Sequence, residues 1–281
     1  MQKMECQLCL EKHKLQRSHI IPNFFRDHSG TTYPTGQSQQ AQPFTVITNT
    51  KPGNKVERKQ HGFYEKKLGL IEFLLCSHCE QKLSKYEDYF KRYFYGGTDP
   101  IRFRIPLKAD PFFEADYSKM KLFLLSILWR AAVANGKFFE EISIPSRDKE
   151  FLRYMLLHEN PREDCEYFCS ISRLVPSKKL DEIFKKHSIS VETAGFAPVK
   201  HDFEGYSTYT FIVGGLVLSF CISSIGVPSI LRNTYIKKSG RFYLSPMKAD
   251  QFFEDYSKKV ISSGNLTYSD VLKDIEARKR I

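Results

Sequence analysis

Leu74-Leu75-Cys76-Ser77-His78-Cys79-Glu80, followed by Gln81-Lys82-Leu83-Ser84-Lys85-Tyr86-Glu87, is the stretch that decides how this chain folds. Its C-x-x-C pair, Cys76 and Cys79, repeats the spacing of an earlier pair, Cys6 and Cys9. Each pair can turn two sulfurs toward one point, and two pairs complete the tetrahedral thiolate set of a structural zinc site. With every position filled by a protein ligand, none is open to water, so the ion stabilises rather than catalyses. Iron–sulfur or redox chemistry is the competing reading of the same cysteines. The span between the pairs is far longer than in a compact zinc finger, which adds only modest loop-closure entropy.

Outward from the second pair, Leu83, Tyr86, Phe90 and Phe94 recur at helical spacing until Gly96-Gly97 stops the helix. Upstream, LQRSHIIP is a β-prone run halted by Pro22, and a polar stretch from about 29 to 54 reads as an extended loop or insertion. GFYEKKLGLIEFLLC then leads into the second knuckle. Residues 1–97 therefore form a zinc module with a long insertion.

Residues 98–281 make the second region. IRFRIPL alternates like a strand, and Asp116 to Asn135 reads as a buried helix carrying Met120, Phe123, Leu124, Ile127, Leu128 and Ala131. Ser146 is the expected cap of the helix RDKEFLRYMLLH. CEYFCSISRLV reads as a strand and KKLDEIFKKH as a helix. TYTFIVGGLVLSFCIS is uncharged and long enough to raise a membrane span, but its β-branched and aromatic residues flank Gly214-Gly215 as two strands flank a tight turn. Ser245-Pro246 is expected to open a helix from about Met247 to Ile261, and YSDVLKDIEARKRI to close the chain as another. Helices and hairpins without regular alternation predict an α+β fold. Cys165, Cys169 and Cys221 lie in apolar runs and read as core thiols.

Hydrophobic residues at 41% and charged residues at 27% exclude a disordered chain. A net charge of +11 points to an anionic partner, nucleic acid being the commonest, although basic proteins without that role are also common. No secretory signal opens the sequence, and the cysteine usage fits a reducing compartment, so cytoplasm is the expected location. No phosphate-binding glycine loop or nucleophile elbow is present.

His19, ten residues beyond the first knuckle in Ser18-His19-Ile20-Ile21-Pro22, has two readings. An imidazole with a pKa near 6.5 suits proton removal from water. It can equally be a core histidine bonded to the backbone. The order C-x-x-C, S-H-I-I-P, then L-L-C-x-x-C-E-x-x-L-S-x-x-E resembles the zinc-containing HNH endonucleases, over roughly Cys6 to Phe94. That resemblance implies an N-terminal treble-clef ββα zinc module followed by a mixed α+β domain for recognition or regulation. It implies a metal-dependent endonuclease acting on nucleic acid, with His19 as base and Cys6, Cys9, Cys76 and Cys79 as structural zinc ligands. It also extends to uncharacterised bacterial HNH-like proteins, some HNH proteins of this kind serving in anti-phage defence, with a protein partner in the same system.

Two positions depart from the HNH pattern: Ser18 stands where an acidic or histidine metal ligand is usual, and Glu80 where histidine or asparagine is. Catalytic magnesium or manganese needs hard oxygen ligands. Glu80 and Glu87, about two helical turns apart on one face, are the candidates. Glu80 with Ser84 is a weaker set, and His61 and Glu65 join if their segment folds back. Against this, both glutamates read equally well as solvated helix residues, Glu80 favouring the helix N-terminus by its charge. Lys85, Lys91 and Arg92 are the expected nucleic-acid contacts, and His201-Asp202 reads as a surface loop pair. The rival function is a non-catalytic zinc module that binds nucleic acid or protein.

Overall fold

Short strands before Cys76, and a helical stripe after it, shape the first region. A computed structural model describes residues 3–25, 71–96, 112–136, 139–162, 167–178, 182, 196–229 and 232–249. Met4–Glu5 (β1) and Lys12–His13 (β2) pair antiparallel and hold the first knuckle between them. Leu15–His19 (β3) pairs antiparallel with Ile71–Cys76 (β4), setting Arg17 opposite Phe73, Ser18 opposite Glu72 and His19 opposite Ile71. The register slips between Leu15 and Arg17, so Leu74 and Leu75 both face Gln16, a β-bulge. The bulge explains why Leu74, Leu75 and Cys76 are buried in succession where a regular strand would alternate.

Ser77–Tyr95 (α1) follows directly, burying Cys79, Leu83, Tyr86, Phe90 and Phe94 on the face the spacing predicts. Gly96, at φ 78°, takes the left-handed C-cap and donates its N–H to the Arg92 carbonyl.

In the second region Phe112–Glu114 (β5) precedes Tyr117–Val133 (α2). Asp116 caps α2 by accepting from the Lys119 N–H at 3.0 Å. This helix is buried almost all round, as its apolar circumference requires. Ser146–Leu157 (α3) starts differently from expectation: Pro145 is the N-cap, Ser146 is already helical, and no side chain caps the end. Tyr167–Val175 (β6), Phe196–Phe203 (β7), Tyr206–Val213 (β8) and Leu216–Ser223 (β9) build a sheet completed by a later strand. Arg241–Tyr243 (β10) pairs with β5, and Ser245–Lys248 (β11) completes the larger sheet, whose order is β11-β6-β9-β8-β7. The architecture is mixed α+β.

The hairpin reading of Gly214-Gly215 holds. Both glycines have positive φ, 57° and 75°, as a two-residue turn between β8 and β9 demands. Among the described residues no helix is long and apolar enough to cross a membrane. One expectation is corrected: Ser245–Lys248 is a strand parallel to β6, not the start of a helix. Pro246 sits on an edge strand, where its missing N–H breaks no ladder on the open side. The expected strand at 101–107, Cys165, nearly all of the helix at 178–187, residues 250–261 and the closing helix lie outside the described residues.

One buried cluster runs through both regions. Phe24 and Phe25, from the 3-10 turn Asn23–Phe25, meet Phe90 of α1 and Phe123 of α2, with Phe90 stacked on Phe123 at 4.1 Å between centroids. Tyr95 reaches across to the hairpin, donating its hydroxyl to the Gly214 carbonyl at 3.0 Å. The strand that carries His19 is therefore anchored between α1 and α2.

Candidate metal centre and the His19 strand

The first knuckle closes through backbone bonds: the Leu10 N–H reaches the Cys6 carbonyl at 2.8 Å and the Cys6 N–H the Glu11 carbonyl at 2.9 Å. Leu10 takes a left-handed φ of 62° to complete that turn. The β4 bulge receives it, Leu74 accepting from the Gln7 N–H at 2.9 Å and the Cys76 N–H pointing at the Cys6 sulfur at 3.3 Å. The sulfurs of Cys6, Cys9, Cys76 and Cys79 all lie within 4.8 Å of one another. Such a cluster can hold one zinc ion. All four cysteines are free of disulfides, and the Cys9 and Cys76 sulfurs are 4.0 Å apart.

Within the cluster the Cys6 thiol is favoured as thiolate, and the Cys9 and Cys79 thiols are shifted the other way. A hydrogen bond from the Cys79 thiol, opposed by burial and helped by the N–H groups of the knuckles, pulls the Cys6 thiol down to about 4. The same hydrogen bond pushes the Cys79 thiol well up, with burial and then the Cys6 charge adding to it. N–H donors aimed at the Cys6 sulfur favour the thiolate form in which cysteine binds zinc.

Beside this cluster the structure brings Ser18 and Glu80 together. Ser18 is fully buried and its hydroxyl accepts the Leu75 N–H at 3.2 Å, a donor that the bulge frees from the ladder. The Glu80 carboxyl sits mostly buried; burial raises its pKa, while a hydrogen bond from Ser18 and the nearby Arg130 charge lower it. Its Oε1 is buried without a hydrogen-bond partner among the described residues.

Glu87 has a partner that the sequence reading missed. Arg130, 1% exposed on α2, places Nη2 2.5 Å from the Glu87 carboxylate and Nη1 2.6 Å from the His19 carbonyl. Ser126, one turn earlier, takes two further N–H groups at 3.1 and 3.3 Å. The signal was present: an arginine and a serine four residues apart inside a helix apolar all round must be paired when buried. Ser84 spends its hydroxyl on the Gln81 carbonyl at 3.0 Å.

The basic candidates separate. Lys85 pairs with Glu159 beyond the end of α3. Lys85 and Arg92 sit roughly 120–140° around α1 from Glu80, whereas Lys91 lies within about 20° of its stripe. His201-Asp202 is on strand β7 rather than in a loop, Asp202 accepting from Ser207 at 2.6 Å. His61 and Glu65 lie outside the described residues. A cleft of about 430 Å³ opens against β3 and the start of α1, lined by His13, Lys14, Gln16, Ser77, His78 and Gln81 with Cys76.

No protein family, curated protein or solved structure matches this chain. Function must therefore come from the chemistry of the site itself.

Proposed function

We propose that this chain is an HNH-like, metal-dependent nuclease whose N-terminal ββα unit, a treble clef stabilised by one structural zinc ion, carries His19 as general base. The observation behind this reading is the meeting of Ser18 and Glu80. These are the two positions, before the base and after the last knuckle cysteine, at which the resemblance implies metal ligands, and Ser18 lies near enough to Glu80 to lower its pKa.

Glu80 fits a hard divalent ion, because its Oε1 is buried without a partner among the described residues. Ser18 adds a neutral oxygen. Glu87 does not fit, since the Arg130 guanidinium holds it. Magnesium or manganese, when bound, supplies positive charge to the departing phosphodiester oxygen. The His19 imidazole takes the proton of the attacking water, and Arg130 fixes the backbone from which it projects.

Cleavage of plasmid DNA and of RNA with magnesium or manganese tests this. His19→Ala, folded and zinc-loaded, is expected to lose the activity of the native chain. Where the resemblance holds fully, the substrate belongs to invading phage and a second protein of the same system regulates the enzyme.

A second reading is favoured by one specific observation, the engagement of Glu87 by Arg130 in a site whose other ligand position is a serine. It is a non-catalytic zinc-stabilised module for nucleic acid or protein. Absence of cleavage by the native, zinc-loaded chain selects it.

A further inference from the structure

The outer face of the β3–β4 ribbon carries a residue that the zinc site and the nuclease reading leave unused. Phe73 is 58% exposed in the middle of a strand whose next three residues are buried. It stands directly opposite Arg17, itself exposed. Residues paired across two antiparallel strands share a face, and residues two apart along a strand share it too. Arg17 and Phe73 therefore lie on the face that His19 and Ile71 occupy one step further along.

Charge decides what this face fits. Lys14 and Gln16, which precede Arg17 in the chain, line a separate cleft with His13 and His78. The full charge beside Phe73 on its own face is the exposed Arg17. The carboxylate next to Phe73 is turned elsewhere: Glu72 accepts the N–H groups of Asn135 and Gly136 at 3.0 and 2.8 Å, at the end of α2. An exposed aromatic ring beside a guanidinium, on a chain of net charge +11, is the pairing that takes a stacked base and its phosphate.

We infer that the Arg17–Phe73 face of the ribbon binds single-stranded nucleic acid, Phe73 stacking on an unpaired base and Arg17 contacting the adjacent phosphate, so that the strand runs toward His19. The inference rests on the nucleic-acid reading given above and names the substrate class of that site. A duplex hides the faces of its bases, so Phe73 has nothing to stack on there; a strand end, loop or melted segment supplies one.

The test uses the full, zinc-loaded chain without added magnesium or manganese, and short oligomers of thymidine and of uridine. Phe73→Trp places a reporter on the face, and the native Trp129 is 1% exposed and gives the unchanging background. Oligomer is expected to quench the new emission, and not that of the native chain. Phe73→Ala should weaken binding by about 5- to 150-fold. Arg17→Gln should weaken it and flatten the salt dependence by about 0.7 in log–log slope. Both side chains are exposed, so zinc content and melting temperature should not move.

Equal affinity of Phe73→Ala and the native chain overturns the stacking role while leaving the nuclease reading intact. The same holds for tighter binding of a duplex with no loss in Phe73→Ala. A native chain that binds no oligomer, single- or double-stranded, overturns this inference and the nucleic-acid reading together. If Phe73→Ala instead changes the oligomeric state, the face is a contact between copies of the chain, and the inference is wrong.

Discussion

Arg130 joins Glu87 to His19: one guanidinium, nearly inaccessible to water, lies 2.5 Å from the carboxylate of the first and 2.6 Å from the carbonyl of the second. It ties β3, α1 and α2 at one point. Removing it leaves a partly buried carboxylate and a carbonyl without their donor.

Arg130→Ala should therefore cost about 3 kcal/mol or more of stability, the range for breaking a buried ion pair from one side. Glu87→Gln keeps an acceptor for the guanidinium and should cost less, about 1–2 kcal/mol. Urea unfolding of the two variants checks the order. An equal loss in both would mean that Arg130 matters only through Glu87, and that its bond to His19 contributes nothing.

Zinc should be inseparable from the fold of the first region. Each of Cys76→Ala and Cys79→Ala is expected to drop bound zinc from one per chain toward none. A strong chelator should do the same to the native protein and lower its melting temperature by several degrees. Metal analysis alongside calorimetry reads both effects. Retention of zinc by Cys79→Ala would remove that sulfur from the ligand set.

The aromatic cluster links the regions, so its loss should be felt in both. Phe123→Ala deletes the ring stacked on Phe90 and facing Phe24 and Phe25, and should destabilise by about 3–5 kcal/mol. Unfolding followed by zinc release and by far-ultraviolet circular dichroism should then shift together. A shift confined to one signal would show that the two regions melt separately.

Two glycines with similar backbone should respond differently to alanine. Gly240 has φ 80°, and a Cβ there would lie 2.1 Å from the Ala115 carbonyl oxygen. Gly226 has φ 83° with nothing within 4 Å. Gly226→Ala should cost about 1 kcal/mol for the left-handed backbone alone. Gly240→Ala adds a clash with backbone, loosens the pairing of β10 with β5, and should cost at least twice as much. Denaturant midpoints of the pair decide it.

The parts legible in the sequence were those set by local spacing. Leu83, Tyr86, Phe90 and Phe94 marked the buried face of α1, and Gly214-Gly215 marked the hairpin because positive φ at both positions narrows the choice of residue. The cysteine cluster followed from two equal spacings. What escaped depends on distant partners. Nothing local distinguishes Leu74-Leu75 as a bulge, since the extra residue exists only relative to β3. Ser245–Lys248 becomes a strand because β6 offers an open edge, which no neighbour in sequence announces. Glu87 read as a free carboxylate because its guanidinium comes from forty-three residues away.

The bond from Arg130 to His19 spans 111 residues of sequence, and that separation is also a delay. A ribosome adding roughly 5–20 residues per second makes the strand bearing His19 about 6–22 seconds before the arginine that steadies it. The nascent chain thus carries His19 through an interval in which its setting is unfinished. On the nuclease reading proposed above, that order keeps the His19 backbone unfixed while the chain is still beside messenger and ribosomal RNA, until the helix carrying Arg130 is made.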